Sequence, residues 1–177
     1  MPLMVESSGT SPKVDMRVEQ AREWLCEEFR EVSPDWFAVA GDASHRRYFR
    51  GWVNGRTHIL MDSPPDLADP APFVDISARL RSVGLHAPEI LLKDLERGYL
   101  LLEDLGDELY RDLINEKSVD GLFNDTFPAL AVMASETDTS HLPAYDEDTL
   151  HDELSLYTDL YLVRHLDYRL RHRQRRD

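Results

Sequence analysis

The sequence has 177 residues and a formal net charge of −14, which allows one ordinary domain or two small lobes with real hydrophobic cores. An acidic chain of this kind argues against general nucleic-acid binding. The last fourteen residues differ, with six arginines and two aspartates, and we interpret residues 164–177 as a solvated basic tail without a function of its own.

Neither the cysteine content nor the hydropathy indicates export or a membrane partner. The single cysteine, Cys26, cannot form an internal disulfide, and we expect it to pack as a small apolar residue in a helix. No stretch approaches about 18 consecutive apolar residues, and the N-terminus lacks the charged start and apolar core of a signal peptide. We therefore expect a cytoplasmic protein.

The first third of the chain predicts one helix and then three strands. Residues 1–14 are rich in Ser, Gly, Thr and Pro and are interpreted as a flexible lead. The apolar spacing is helical over residues 15–30 and then changes to a period of two. Three strand-like runs follow, at residues 36–40, 47–53 and 57–61. The pair Asn54-Gly55 is typical of a tight turn between the last two runs.

A second helix and two further strands are predicted next. Asp69 suits a helix N-cap with Pro70 at the first helical position, and Phe73, Ile76 and Leu80 are expected to cover the sheet until Gly84 ends the helix. Apolar runs at residues 88–92 and 99–102 then read as strands joined by a polar turn. The order predicts a five-stranded antiparallel sheet with one helix inserted after the third strand.

From residue 103 onward the apolar period is helical. Asp107, Ser118 and Asp146 each precede such a pattern and could cap a helix. The third of these patterns carries Leu150, Leu154, Tyr157 and Tyr161. The sequence therefore predicts an α+β chain, with a mixed lobe at residues 15–105 and a helical part at residues 106–163.

Four local strings make this order more specific. They are GDASHRRYFR (residues 41–50), ILMDSPP (59–65), GLHAPEIL (84–91) and YLLLEDLGD (99–107). In this order of elements they resemble the aminoglycoside phosphotransferase superfamily, which has the protein-kinase-like fold. Within it they are similar to the bacterial N-acetylmuramate/N-acetylglucosamine kinase branch of cell-wall recycling. The resemblance implies a nucleotide-binding small lobe, ATP and Mg²⁺ as cofactors, and an amino-sugar substrate.

The string GDASHRRYFR is, in this resemblance, the nucleotide loop between the first two strands. Gly41 would let the backbone approach phosphate, and the N–H groups of Ala43 and Ser44 would meet phosphate oxygens. Strand alternation places Arg46 and Arg47 on opposite faces, so only one of them can face the nucleotide, and we favour Arg46. Considered alone, the string also fits a polar hairpin with solvated arginines.

The string LEDLGD would form the hinge that meets the adenine edge. The backbone of Glu103, Asp104 and Leu105 would offer a carbonyl and an N–H group there. An acidic loop whose Asp107 caps the following helix fits the same residues. The strand at residues 57–61 lacks the lysine that kinases use on their third strand, and Met61 or Asp62 stands in its place.

No catalytic or metal-binding residue is assigned. Phosphoryl transfer in this fold needs a HxDxxxxN string and a later metal-binding Asp. His165 and Asp167 have the HxD spacing, but His172 stands where Asn is required. We interpret the chain as C-terminally truncated, with weak nucleotide binding and with self-association through exposed helical surface. A non-catalytic nucleotide-binding or scaffold protein, and a kinase of choline, homoserine or an aminoglycoside, stay open as alternatives.

Overall fold

The computed structural model describes residues 15–39 and 44–169. The predicted lead at residues 1–14 and most of the basic tail lie outside the described residues. By its internal contacts the chain divides into two compact units, Met1–Asp138 and Thr139–Asp177. Among the described residues, no helix combines the length and the apolar character needed to cross a membrane.

The first unit contains an antiparallel sheet with one inserted helix, as predicted. The strands are β1 (Phe37–Ala38), β2 (Arg47–Val53), β3 (Arg56–Asp62), β4 (Ile90–Asp94) and β5 (Tyr99–Glu103). The helices of the chain are α1 (Met16–Glu28), α2 (Ala71–Ser82), α3 (Tyr110–Leu113), α4 (Val119–Glu136) and α5 (Glu147–Leu156), the last continued by a π-helical segment, Tyr157–His165. The sheet order is β1-β2-β3-β5-β4, which confirms the expected small-lobe arrangement.

The hairpin between β2 and β3 forms at the predicted turn. Asn54 and Gly55 have φ values of 48° and 76°, which are the left-handed conformations that a two-residue hairpin turn requires. The strand pairing that follows sets Arg50 opposite Ile59 and Tyr48 opposite Met61. Because the side-chain period is two, this register decides which residues of β2 face α1 and which face α2.

Each face of the sheet is covered by one helix. The cluster on the α1 side is built from Ala21, Trp24, Leu25, Phe49, Val53, Leu60, Tyr99 and Leu101. The cluster on the α2 side is built from Met61, Leu100 and Leu102, with Tyr48, Ile59, Phe73, Val74 and Ile90 packed against it. The central strands β3 and β5 are therefore apolar on both faces, which explains their nearly continuous hydrophobic sequence.

A buried carboxylate fastens α1 to the sheet. Asp62, at the end of β3, is fully buried and forms ion pairs with Arg17 of α1 and Arg47 of β2. Arg17 Nη2 also donates to the carbonyl of Arg97 at 2.7 Å, and Arg47 also pairs with Asp15, the N-cap of α1. A buried carboxylate needs such partners because an unpaired charge in the interior is costly.

Three expectations about packing are wrong. Cys26 is exposed, because it lies on the side of α1 turned away from the sheet. Ile76 is also exposed, and Ser77 instead is buried, where its hydroxyl donates to the carbonyl of Pro88 at 2.9 Å. The N-cap of α2 is Pro70, although Asp69 still accepts a hydrogen bond from the backbone N–H of Ala71 at 2.9 Å.

We expect Asp62→Asn to lower the free energy of unfolding by about 2 kcal/mol, because two guanidinium groups lose their shared carboxylate. We expect a smaller loss of free energy than for a deeply buried ion pair, because the Arg17 and Arg47 side chains are 34% and 40% exposed. Urea denaturation measures it. The matched control, Asp75→Asn, breaks only a surface pair with Arg79 and should change the value by less than about 0.5 kcal/mol. Equal effects of the two variants would contradict this assignment.

The helices beyond β5 bury little of their apolar surface. No described residue after Leu102 is buried, and Phe123, Phe127, Leu130 and Met133 of α4 are all exposed. The predicted caps are partly right: Asp146 accepts from the backbone N–H of Thr149 at 3.0 Å, whereas Ser118 precedes α4 without capping it. The Ser118 hydroxyl donates instead to the carbonyl of Leu113 at 2.6 Å.

We expect amide hydrogen exchange to be faster in residues 107–169 than in β2, β3 and β5, because backbone with few buried neighbours opens more easily. Exposed apolar side chains on a helix also favour association. Sedimentation should therefore show self-association that increases with protein concentration. Uniform protection through Tyr161 together with a monomer at all concentrations would contradict both expectations.

Candidate functional site

The predicted nucleotide loop is described only in part. Gly41 and Ala43 lie outside the described residues, so their proposed contacts stay predictions. Ser44 is exposed, and its Oγ accepts a hydrogen bond from the backbone N–H of Arg46 at 3.1 Å. This bond uses the oxygen of the hydroxyl and leaves its proton able to donate to a ligand.

The arginines that follow the loop leave the chain on opposite sides of the sheet. Arg47 faces α1, where Asp15 and Asp62 neutralise it. Hydrogen bonds from Arg47 lower the pKa of Asp15 below its usual value. Arg46 lies on the α2 side. The two neighbouring arginines therefore have different electrostatic surroundings.

Arg46 has no carboxylate partner among the described residues. Its Nη2 donates to the backbone carbonyl of Asp69 at 3.3 Å, and its guanidinium lies over the ring of Phe73, 5.8 Å from the centroid. Its Nε is buried and has no hydrogen-bond partner in the described part of the chain. A fixed guanidinium with unused donors is suited to bind phosphate oxygens.

The lysine that kinases use on their third strand, and that this sequence lacks, would lie at the end of β3. Met61 is fully buried on the α2 side, and Asp62 points to the α1 side, where its two arginines hold it. The side chain on the α2 face at this point is therefore apolar. Arg46 lies on the same face of the sheet, with its guanidinium over the ring of Phe73.

The predicted hinge begins at Glu103, the last residue of β5. Its backbone N–H donates to the carbonyl of Glu89 at 2.8 Å, so this N–H group is not available to a ligand. Its carboxylate accepts from the backbone N–H of Glu89 at 3.1 Å and lies 3.0 Å from Nε2 of His86. These contacts, the backbone hydrogen bond first, lower the pKa of Glu103.

Asp104 is held by an arginine from a strand two positions away in the sheet. Arg50 of β2 donates from Nε and Nη2 to the two oxygens of Asp104, at 2.7 and 2.9 Å. Its Nη1 donates to both oxygens of Asp107, at 2.8 and 2.7 Å. A bidentate arginine–carboxylate pair fixes both groups in one plane. We call Arg50, Asp104 and Asp107 the hinge clamp.

The hinge clamp corrects the expected role of Asp107. Asp107 does not cap the next helix, because α3 begins at Tyr110 with Leu109 as its N-cap and its side chain binds Arg50 instead. Burial alone would raise the pKa of Asp104, but hydrogen bonds from Arg50, the backbone of Gly106 and Thr57 outweigh it and hold the pKa below its usual value. Asp104 is therefore a carboxylate at neutral pH.

Leu105 presents the open backbone group of the hinge. Asp104 Oδ1 accepts from the N–H of Gly106 at 3.0 Å, which closes a turn around Leu105, and Gly106 has a φ of 83° that favours glycine. No described residue accepts a hydrogen bond from the N–H of Leu105. Of the three predicted hinge residues, Glu103 has its N–H paired, and the N–H of Leu105 has no acceptor among the described residues.

The HxD pair does not form a catalytic loop in the described residues. His165 ends the π-helical segment and stacks on Tyr161, with ring centroids 5.5 Å apart, and Asp167 follows with a φ of 49°. Neither residue follows a strand, as phosphotransferase catalytic residues of this fold do. That the pair is not catalytic stays a prediction.

Comparison with known proteins gives the class of protein that the sequence resembles, a phosphotransferase. The sequence model of the phosphotransferase enzyme family matches residues 35–177. Similar curated proteins are the N-acetylmuramate/N-acetylglucosamine kinases of Pseudomonas aeruginosa, 40% identical over 166 residues, and of Pseudomonas putida, 39% identical over 165 residues. The corresponding kinase of Neisseria meningitidis is 27% identical over 159 residues.

The chain belongs to the phosphotransferase enzyme family. The matches to the two Pseudomonas kinases cover 88% of this chain and 49% of each relative. The chain therefore spans about half the length of the curated relatives that it matches.

We expect the stabilising effect of Asp104 to disappear in acid. Its folded pKa lies below that of the unfolded chain, about 4, so its contribution is complete above that pH and is lost as the pH falls through the folded value. Asp104→Asn should lower the free energy of unfolding by about 1 to 2 kcal/mol at pH 7.

The difference in the free energy of unfolding between the parent and Asp104→Asn should become smaller below about pH 4. Urea denaturation across the pH range measures it. Asp107→Asn is the control, because the Asp107 side chain is 74% exposed and should contribute less than about 0.5 kcal/mol at any pH. A difference for Asp104→Asn that stays constant into strong acid would show that its charge is not responsible.

Proposed function

We propose that this chain is the nucleotide-binding part of an ATP-dependent phosphotransferase that acts on the amino sugars N-acetylmuramate and N-acetylglucosamine. The observation that carries the proposal is the 40% identity to kinases named for these sugars over 88% of the chain. The proposal places the protein in the cytoplasm, where ATP is available, and in cell-wall recycling.

The proposed nucleotide site runs from the loop before β2 to the hinge after β5. Gly41 would let the backbone approach the phosphates, Ala43 and Ser44 would contact them through backbone N–H groups, and Arg46 would add a guanidinium. The backbone of residues 103–105 would meet the adenine edge. The unpaired charge of Arg46 and the unused N–H of Leu105 support this arrangement.

The proposed reaction moves the γ-phosphoryl group of ATP to a sugar hydroxyl, with release of ADP and of the hydroxyl proton to a base. No three described side chains of His, Cys, Asp or Glu form a cluster that could hold a metal ion. We therefore assign no Mg²⁺ ligand to these residues, and Mg²⁺ enters the proposal only as the ion bound by the phosphates of ATP.

We expect calorimetric titration with ATP and magnesium to show weak binding that depends on the loop. Arg46→Ala should weaken binding by about tenfold or more, because a charge-assisted hydrogen bond is lost, and Ser44→Ala by about threefold. Arg56→Ala is the control, because Arg56 is an exposed arginine at the hairpin turn. Parent-like affinity in both loop variants would contradict the assigned site.

The sugar specificity needs a separate experiment. Reading the encoding DNA past the codon of Asp177 in all frames should reveal a HxDxxxxN string. The protein expressed through that string should form a sugar phosphate from ATP with either amino sugar. Frames without the string, or a product that phosphorylates neither sugar, would favour the non-catalytic nucleotide-binding protein instead.

A further inference from the structure

Arg46, directly before β2, and Arg50, within it, lie at the two ends of the proposed nucleotide site. Arg46 and Arg50 differ by four residues and lie on the α2 side of the sheet, as do Tyr48 and Ile59. Four residues of strand extend about 13 Å, which is on the order of the length of an extended nucleoside triphosphate. If Arg46 lies at the phosphates, Arg50 lies at the nucleobase.

We infer that Arg50 is a positioning residue for the nucleobase end of the site, where it orients the hinge through Asp104. The inference rests on the proposed function, because it concerns the same nucleotide. It differs in assigning a role to a side chain that supplies no phosphate contact and that the predicted hinge did not include.

The hydrogen bonds of the hinge clamp show why Arg50 acts indirectly. Its Nε, Nη1 and Nη2 all donate to carboxylates, and Asp104 is only 7% exposed and accepts from Arg50, Thr57 and Gly106. The guanidinium and the Asp104 carboxylate are thus engaged mainly with each other and with neighbouring protein groups. The neighbouring N–H of Leu105 is a donor that no described group accepts.

The direction of the Leu105 N–H depends on the clamp. The same Asp104 oxygen that accepts from Arg50 Nη2 also accepts from the N–H of Gly106, which closes the turn around Leu105. Loss of Arg50 would leave Asp104 without its cationic partner in a nearly buried place, and such a carboxylate moves toward water. A hinge that is no longer held in one conformation binds its ligand more weakly, because ordering it on binding has a free-energy cost.

A base-specific loss of affinity separates this role from a structural one. We would titrate the full 177-residue chain with ATP, adenosine and magnesium tripolyphosphate, using ligand-detected NMR for the weak binders. Arg50→Lys and Asp104→Asn should each weaken the binding of adenosine and of ATP by about tenfold. The affinity for tripolyphosphate should change by less than about twofold. The double variant should lose no more than either single variant, because both act through one contact.

Asp62→Asn serves as the matched control, because it breaks an Arg–Asp contact on the α1 side of the same sheet. It should lower the melting temperature without changing the ratio of adenosine to tripolyphosphate affinity. Two results for Arg50→Lys would overturn the inference: an equal loss of affinity for adenosine and tripolyphosphate, or an unchanged affinity for adenosine. In either case, ATP binding by the parent would still uphold the proposed function. A parent that binds neither ATP nor tripolyphosphate would overturn the proposed function and the inference with it.

Discussion

The alternation of side chains along β2 is the constraint on which this structure depends. It directs Arg47 toward α1 and Arg50 toward α2, and each guanidinium meets a carboxylate that the sheet itself buries or nearly buries. Asp62 and Asp104 lie on different strands and opposite faces, so β2 links the N-terminal helix on one side and the hinge on the other. A slip of one residue in its register would separate both pairs.

The pairing leaves the two faces with different charge. On the α1 face, Asp15 and Asp62 neutralise Arg47, and Asp62 is also shared with Arg17. On the α2 face the hinge clamp is anionic, with two carboxylates for one guanidinium, whereas Arg46 at the other end of the strand has a carbonyl and a ring as partners. The face therefore has a cationic end and an end where backbone groups are presented, which suits a ligand with a phosphate end and a base end.

The sequence predicted the elements well because their signals are local. The turn at Asn54-Gly55 and the helix after Asp15 depend on neighbouring residues, and both form where predicted. The hinge clamp could not be predicted in this way, because its members come from β2 and from beyond β5, with β3 between them. One signal was present: Arg50 has the same strand parity as Arg46. The alternation that directs Arg46 to the α2 side therefore directs Arg50 there as well.

The acidic charge of the chain makes local contacts decisive for an anionic ligand. A net charge of −14 repels a nucleotide at long range, but salt at physiological concentration screens exposed charges beyond about 8 Å. Within that distance, the groups of the proposed site that would act on a nucleotide include the uncompensated guanidinium of Arg46 and the neutral N–H of Leu105. Because Arg47 and Arg50 are already paired with carboxylates, Arg46 is the one of these three arginines that lacks a carboxylate partner among the described residues. The carboxylates of the acidic chain thus neutralise Arg47 and Arg50, and Arg46 is left as the unpaired cation of the proposed site.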